Sequence, residues 1–257
     1  MKIESTAITH VGLVRSNNED SYYINGKYKS NNNAAAEGYT DTRQRASNLY
    51  AVCDGMGGEN FGELASMIAV KTLAVYQTSD IRHTVSEYIK RANKYICIEI
   101  ERNRGLRIGT TIAILYLHKN KAISYNVGDS RVYLLRKGDL YLISEDHTEA
   151  QHMVKMGLIS EEEAINHKSK NRLTQHLGVF PHELIIEPYA SQEIKIKKND
   201  IFLLCSDGLT DMVSDDEIRE ILSINDADTT DIAKELAATA QTYGGKDNTT
   251  VIVIKVS

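Results

Sequence analysis

The chain has 257 residues, 42% apolar and 25% charged, enough for one compact soluble domain with a sizeable core. Its 30 basic residues face 35 acidic ones, and the net charge of -5 argues against a dedicated nucleic-acid binder. The amino terminus has no apolar stretch of signal length and no run approaches the roughly 20 apolar residues that span a bilayer, so a cytoplasmic protein without a membrane anchor is expected.

In chain order, residues 20–25 and 48–53 read as strands. The polar stretch 27–47 between them, with Asn31-Asn32-Asn33-Ala34-Ala35-Ala36 at its centre, reads as a mobile surface loop. Apolar residues recur at helical spacing over 63–76 and again at Val85, Ile89, Ala92, Ile96 and Ile100, which predicts two successive amphipathic helices covering one face of a sheet. Residues 110–117, 121–127, 131–136 and 140–143 are short, rich in β-branched and aromatic side chains and broken by turn residues, the pattern of an antiparallel meander.

The pattern loosens between 148 and 182 into short helices at 149–157 and 160–166 and a basic run at 167–172, a flap beside the sheet. Residues 201–205 form a buried strand, 215–222 and 231–241 are helices with acidic starts, and 249–256 is a last strand. The three cysteines, Cys53, Cys97 and Cys205, lie in apolar runs or on a helix without zinc-type spacing, so buried free thiols in a reducing compartment are expected.

Four aspartates, Asp54, Asp129, Asp207 and Asp247, each sit where an apolar strand stops or starts. Two are followed by glycine, in Asp54-Gly55-Met56-Gly57-Gly58 and Ser206-Asp207-Gly208, and a third is preceded by one, in Gly128-Asp129-Ser130-Arg131. Glycine lets the backbone turn tightly and approach a ligand closely. Carboxylates gathered at one rim repel each other and stay ionised only with cations among them, so a multinuclear site for hard ions such as Mg²⁺ or Mn²⁺ is the leading expectation. Each signal alone has a plainer meaning. Asp-Gly marks a turn, Asp247 could cap the turn before the last strand, Asp129 could stabilise a hairpin bend, and Arg15 with Glu19 and Asp20 could be a surface charge cluster.

Strung together, Arg15-Ser16-Asn17-Asn18-Glu19-Asp20, the Asp54 motif, Gly109-Thr110-Thr111, the Asp129 motif, Ser206-Asp207-Gly208 and Gly245-Lys246-Asp247-Asn248-Thr249-Thr250 resemble the metal-dependent protein phosphatases of type 2C. The flap segments Met156-Gly157-Leu158-Ile159 and Asn171-Arg172-Leu173-Thr174 are similar to those of compact bacterial members that oppose Ser/Thr protein kinases. The resemblance implies an α+β fold, an α-β-β-α sandwich of two antiparallel sheets flanked by helices, with metals at one edge.

It also implies that Asp54 bridges two divalent ions, the Gly55 carbonyl completes the first, and Asp207 and Asp247 hold the second. Asp129, with Asp207, would hold a looser third ion. Glu19 and Asp20 would reach the metals through water. Arg15 matches the phosphate clamp, since a guanidinium fork can pair with two phosphate oxygens. Paired ions would orient a shared water for in-line attack at phosphorus.

Two departures stand out. Met56 replaces a histidine suggested as the proton donor in eukaryotic relatives, which leaves a water as the proton source, and Glu59 replaces a histidine of many bacterial relatives and is given no catalytic role. His147 reads as a hydrogen-bonded structural histidine at the start of the flap, and the basic run as a solvated face.

The function expected is hydrolysis of phosphoserine and phosphothreonine in proteins by a monomer, a Ser/Thr kinase being among its partners. Two alternatives are weaker. A binding module with a decayed site would be expected to have lost one of Asp54, Asp207, Asp247 or Arg15, and a two-metal nuclease would be expected to show a basic, aromatic-studded surface.

Overall fold

The computed structural model describes residues 1–29, 35–57, 61–76, 80–103, 107–225 and 227–257. Its first half runs β1 (Ile3–His10), β2 (Ser21–Ile24), β3 (Lys27–Tyr28), β4 (Ala36–Arg43), β5 (Ser47–Cys53), β6 (Gly55–Gly57), α1 (Gly62–Val75), α2 (Ile81–Arg102), β7 (Ile108–Thr110), β8 (Ile112–His118) and β9 (Lys121–Val127). There follow β10 (Arg131–Arg136), β11 (Asp139–Leu142), α3 (Glu149–Lys155), α4 (Glu161–Ile165), β12 (Tyr189–Ala190), β13 (Ile194–Lys195), β14 (Ile201–Cys205), α5 (Asp207–Thr210), α6 (Asp215–Leu222), α7 (Thr229–Thr242) and β15 (Thr249–Val256).

One sheet has six strands in the order β11-β10-β14-β15-β1-β4, and the other has seven, β12-β9-β8-β5-β2-β3 with β13 also on β9. Alternation along the strands decides which layer each side chain enters. On β15, Ile252 and Ile254 point between the sheets with Phe202 and Leu204 of β14 and Tyr50 and Val52 of β5. Their neighbours Val251, Val253 and Leu203 face α6 and α7, where Ile218, Leu222, Ile232 and Leu236 meet them. On β5, Leu49, Ala51 and Cys53 turn outward to α1 and α2. Both faces of these strands are covered, so they read in sequence as continuous apolar runs. The layers are helix, sheet, sheet, helix, as the resemblance implies.

Three expectations need correction. The 27–47 stretch is more than a loop: β4 pairs with β1 along eight residues and closes one edge of the six-stranded sheet. Residues 30–34 of that stretch, like Gly58 and Glu59, lie outside the described residues. The proposed meander is cut in two, because β8 and β9 belong to the seven-stranded sheet and β10 and β11 to the six-stranded one. The chain changes sheet at Gly128, whose φ of +98° suits glycine, and a Cβ there would lie 2.6 Å from the Thr111 methyl.

The α6 bounds are as expected, but α7 starts two residues early, at Thr229, and the expected acids are not the caps. Ser214 caps α6 in a reciprocal box with Glu217, and Asp228 caps α7 through the N–H groups of Thr230 and Asp231. Asp215 and Asp231 instead sit in the first turns, where the helix dipole favours them. All three cysteines are free and buried, as the sequence suggested. No helix among the described residues is long and apolar enough to cross a membrane.

Ile252 is completely buried between the sheets. Ile252→Ala should lower the unfolding free energy by about 3 kcal/mol in urea denaturation, the cost of a cavity in a layer closed on both sides.

Candidate metal centre

Strand ends from both sheets meet at one rim, and the chemistry-bearing residues sit on them. Asp54 follows β5, Asp129 lies in the crossing from β9 to β10, Asp207 opens α5 directly after β14, Asp247 precedes β15, and Glu19 and Asp20 precede β2.

Main-chain and hydroxyl hydrogen bonds hold each position. The Asp54 N–H donates to Thr111 Oγ1 at 3.0 Å, and its carbonyl accepts from Thr111 N at 2.9 Å and Thr110 Oγ1 at 2.8 Å. Thr111 Oγ1 lies 2.7 Å from Ser130 Oγ, which ties the Asp54 turn to the Asp129 crossing. A Cβ on Gly55 would lie 2.3 Å from the Gly62 carbonyl and 2.4 Å from that of Glu19, so only glycine lets β6 pass between α1 and the Glu19 loop. Glu19 in turn accepts from the Gly62 N–H at 3.2 Å, at the first residue of α1.

Asn248 and Ser206 knit the other side. Asn248 Oδ1 accepts from Glu19 N at 2.7 Å, and its Nδ2 donates to the carbonyls of Val11 at 2.8 Å and Asn17 at 2.9 Å. Ser206 Oγ donates to Asp20 Oδ2 at 2.7 Å and accepts from Thr250 N at 3.0 Å. These two belong to motifs visible in the sequence, but residue type alone gave no sign that each would serve several partners.

The electrostatics of the rim are those of crowded acids. Burial pushes the Asp54 carboxyl well up, helped by the charges of Asp20, Asp207 and Asp129 and by a hydrogen bond to Asp207. Burial and the Asp207 charge do the same to Asp129. Asp207 rises to about 7, mainly through burial, and Asp20 to about 6 for the same reason despite hydrogen bonds from Thr250 and Ser206. Crowding and burial thus raise the proton affinity of every one of these acids, and a divalent cation among them would favour the ionised, ligating form.

The donor set fits such an ion: it is all oxygen, and the buried Asp20 Oδ1 has no hydrogen-bond partner. Among the described residues no three His, Cys, Asp or Glu side chains already form a cage for one ion, so each ion would share these carboxylates with carbonyl and water oxygens.

Arg15 does reach the rim, where its Nη2 meets Asp247 Oδ2 at 2.7 Å in a solvent-exposed pair. Met56 lies half-buried in β6 beside Asp54. His147 is structural: its N–H donates to the Gly128 carbonyl at 3.0 Å, its carbonyl accepts from Thr174 N at 2.8 Å, and burial lowers its pKa. The basic run is partly internal, since Lys170 and Asn171 hold Asp211, at the end of α5, at 2.9 and 2.7 Å, and Arg172 meets Glu149 at 3.3 Å. Between this flap and α5 a groove of about 720 Å³ runs away from Asp129 and Asp207.

The protein phosphatase 2C family model matches residues 26–248. The chain belongs to the protein phosphatase 2C family. The Ser/Thr phosphatase stp of Listeria welshimeri is 32% identical over 256 residues, covering 96% of this chain and 93% of the relative. The crystal structure of the Mycobacterium tuberculosis Ser/Thr phosphatase PstP/Ppp superposes with a TM-score of 0.83 at 32% identity, covering 100% of both chains. A structure of the PstP catalytic domain in complex with two manganese ions gives a TM-score of 0.79 at 31% identity, again over 100% of both chains. The protein phosphatase 2C model begins after Arg15, Glu19 and Asp20, whereas these full-length similarities extend across them.

Folding raises the Asp207 carboxyl from 3.8 to about 7, so its protonated form favours the folded state; that stabilisation is whole below about pH 4 and is lost as pH climbs through about 7. In EDTA, wild-type Tm should therefore fall behind that of Asp207→Asn as pH rises from 4 to 8, and saturating Mn²⁺ should close the gap by stabilising the wild type. Parallel Tm profiles in EDTA would contradict this picture of the rim.

Proposed function

We infer that the protein is a metal-dependent phosphatase that hydrolyses phosphoserine and phosphothreonine in proteins. The observation that carries this reading is the convergence of Asp54, Asp129 and Asp207, with Asp207 raising the proton affinity of both other acids, at the rim where Arg15 pairs with Asp247. Asp54, the Gly55 carbonyl, Asp207 and Asp247 would hold two divalent ions, Mn²⁺ or Mg²⁺. Asp129 with Asp207 would hold a third, and Glu19 and Asp20 would act through water. When bound, the ions supply an activated water and neutralise charge on the phosphoryl group.

The chain's own residues do the rest. Arg15 leaves Asp247 and presents its fork to two phosphate oxygens, a move made easy by the exposure of the pair. The groove under the flap takes the polypeptide around the phosphoester. Met56 has no proton to give, so the leaving alkoxide is protonated from water. The whole chain, 1–257, acts as one domain with its flap at about 148–182. It is a cytoplasmic monomer that opposes Ser/Thr kinases, one of which is among its phosphoprotein substrates.

Phosphate release from a phosphothreonine peptide should require Mn²⁺ or Mg²⁺, and Asp207→Asn and Asp247→Asn should each lower kcat by at least about a hundredfold, as expected for losing a positioned charge in the transition state. Metal-independent release, or full activity in both variants, would overturn the mechanism, and cleavage of single-stranded DNA in the same assay would redirect the substrate class. Arg15→Lys keeps the charge and loses the fork, and should lower kcat/KM by about tenfold.

A further inference from the structure

The 27–47 stretch returns one side chain to the underside of the rim. Lys29, just after β3, is 1% exposed and is the only buried lysine or arginine among the described residues. Its Nζ donates to the main-chain carbonyls of Asn18 at 2.6 Å and Asp20 at 2.5 Å. These carbonyls bracket Glu19, whose own carbonyl accepts from Ser66 Oγ of α1 at 2.5 Å. Asn18 tightens the same turn, with its Oδ1 accepting from Asp20 N at 3.1 Å and its Nδ2 donating to Thr9 Oγ1 at 2.9 Å. The backbone that carries Glu19 and Asp20 is thus gripped from α1 on one side and from Lys29 on the other.

The charge is placed as deliberately as the donors. Burial lowers the pKa of the ammonium group, and the charges of Asp20, Glu37, Glu63 and Glu19, from the loop before β2, from β4 and from α1, oppose that shift. Burying an ammonium group is costly unless acceptors and opposite charges meet it, and here both do. An apolar side chain of similar length could fill the space, but it could not hold two carbonyls.

We propose that Lys29 is a positioning residue for the metal centre: it fixes the Asn18–Asp20 backbone so that Glu19 and Asp20 stay aimed at the rim, and it sets a permanent positive charge beneath them. The proposal rests on reading the rim as a divalent-metal site. Lys29 touches neither ion nor substrate; it acts through the two carboxylates. It comes from the stretch whose paired part forms β4, so that addition to the sheet edge also reinforces the site.

The test is direct Mn²⁺ binding, followed by the electron paramagnetic resonance of free Mn²⁺, for wild type, Lys29→Met and Lys29→Gln, with Tm measured in EDTA and phosphopeptide kinetics at saturating Mn²⁺. The Mn²⁺ Kd should rise about tenfold in Lys29→Met, the range for losing a group that orients metal ligands, and by less in Lys29→Gln, which keeps N–H donors but no charge. The phosphopeptide KM at saturating Mn²⁺ should not change. A lysine that merely supports the fold would lower Tm and leave the Mn²⁺ Kd of the folded protein as in wild type, and that result overturns the proposal. If Lys29→Met does not fold, Lys29→Gln decides by the same criterion. Failure of the wild type to bind Mn²⁺ would sink the metal reading itself, whereas equal binding by wild type and variants would sink only the role of Lys29.

Discussion

The constraint on which the structure depends is the mutual repulsion of carboxyl groups held at one rim. Asp54, Asp129, Asp207 and Asp20 each raise or are raised by at least one of the others. A flexible rim would relieve that repulsion by spreading apart. This one cannot spread, because the acids sit at the ends of packed strands, with Thr111 holding the Asp54 backbone, Asn248 the Glu19 backbone and Ser206 the Asp20 carboxyl group. Rigidity of the two-sheet core is thereby converted into affinity for cations, since the cluster lowers its energy by taking up protons or, in their place, metal ions.

The same packing explains which elements the sequence reveals. β14 and β15 lie in the middle of a covered sheet, so residues 201–205 and 251–254 are unbroken apolar runs and the strand bounds read correctly. β1, also central, is invisible to that logic. Its Ser5, Thr6 and Thr9 are buried polar residues, Ser5 Oγ donating to the Asp41 carbonyl at 3.3 Å, with Thr6 Oγ1 2.8 Å from Thr229 Oγ1 and Thr9 Oγ1 2.7 Å from Thr250 Oγ1. Partners more than two hundred residues away cannot be read locally. β4 is hidden for the opposite reason. It is a half-exposed edge strand, and natural edges carry charge, as Glu37, Asp41 and Arg43 do here. The sheet change at Gly128 was missed because sequential strands ordinarily pair, and nothing local marks the exception.

The carboxylates of the site were legible for a chemical reason: an acid beside glycine at a strand end is a specific requirement repeated along the chain. The residues that aim them were not. Asn248 and Lys29 act on main-chain atoms, and any sequence offers a carbonyl at every position, so a backbone-directed contact leaves no compositional trace. His147 illustrates the converse, a residue with attractive chemistry whose hydrogen bonds go to the Gly128 turn and the flap.

Positive charge at the rim comes in grades set by burial. Arg15 and Asp247 are both substantially exposed, so water and salt weaken their pair and either can change partner at small cost. Lys29 is enclosed, and removing it would leave the carbonyls of Asn18 and Asp20 without its two hydrogen bonds, so it does not change partner as an exposed side chain can. Under the proposed function, a site that releases phosphate after each turnover is served by a weakly tethered cation on its substrate side, and acids that are to stay in place between turnovers by a cation that does not leave. Exposure separates two such cations here: the Arg15 guanidinium is in solvent and the Lys29 ammonium group is enclosed.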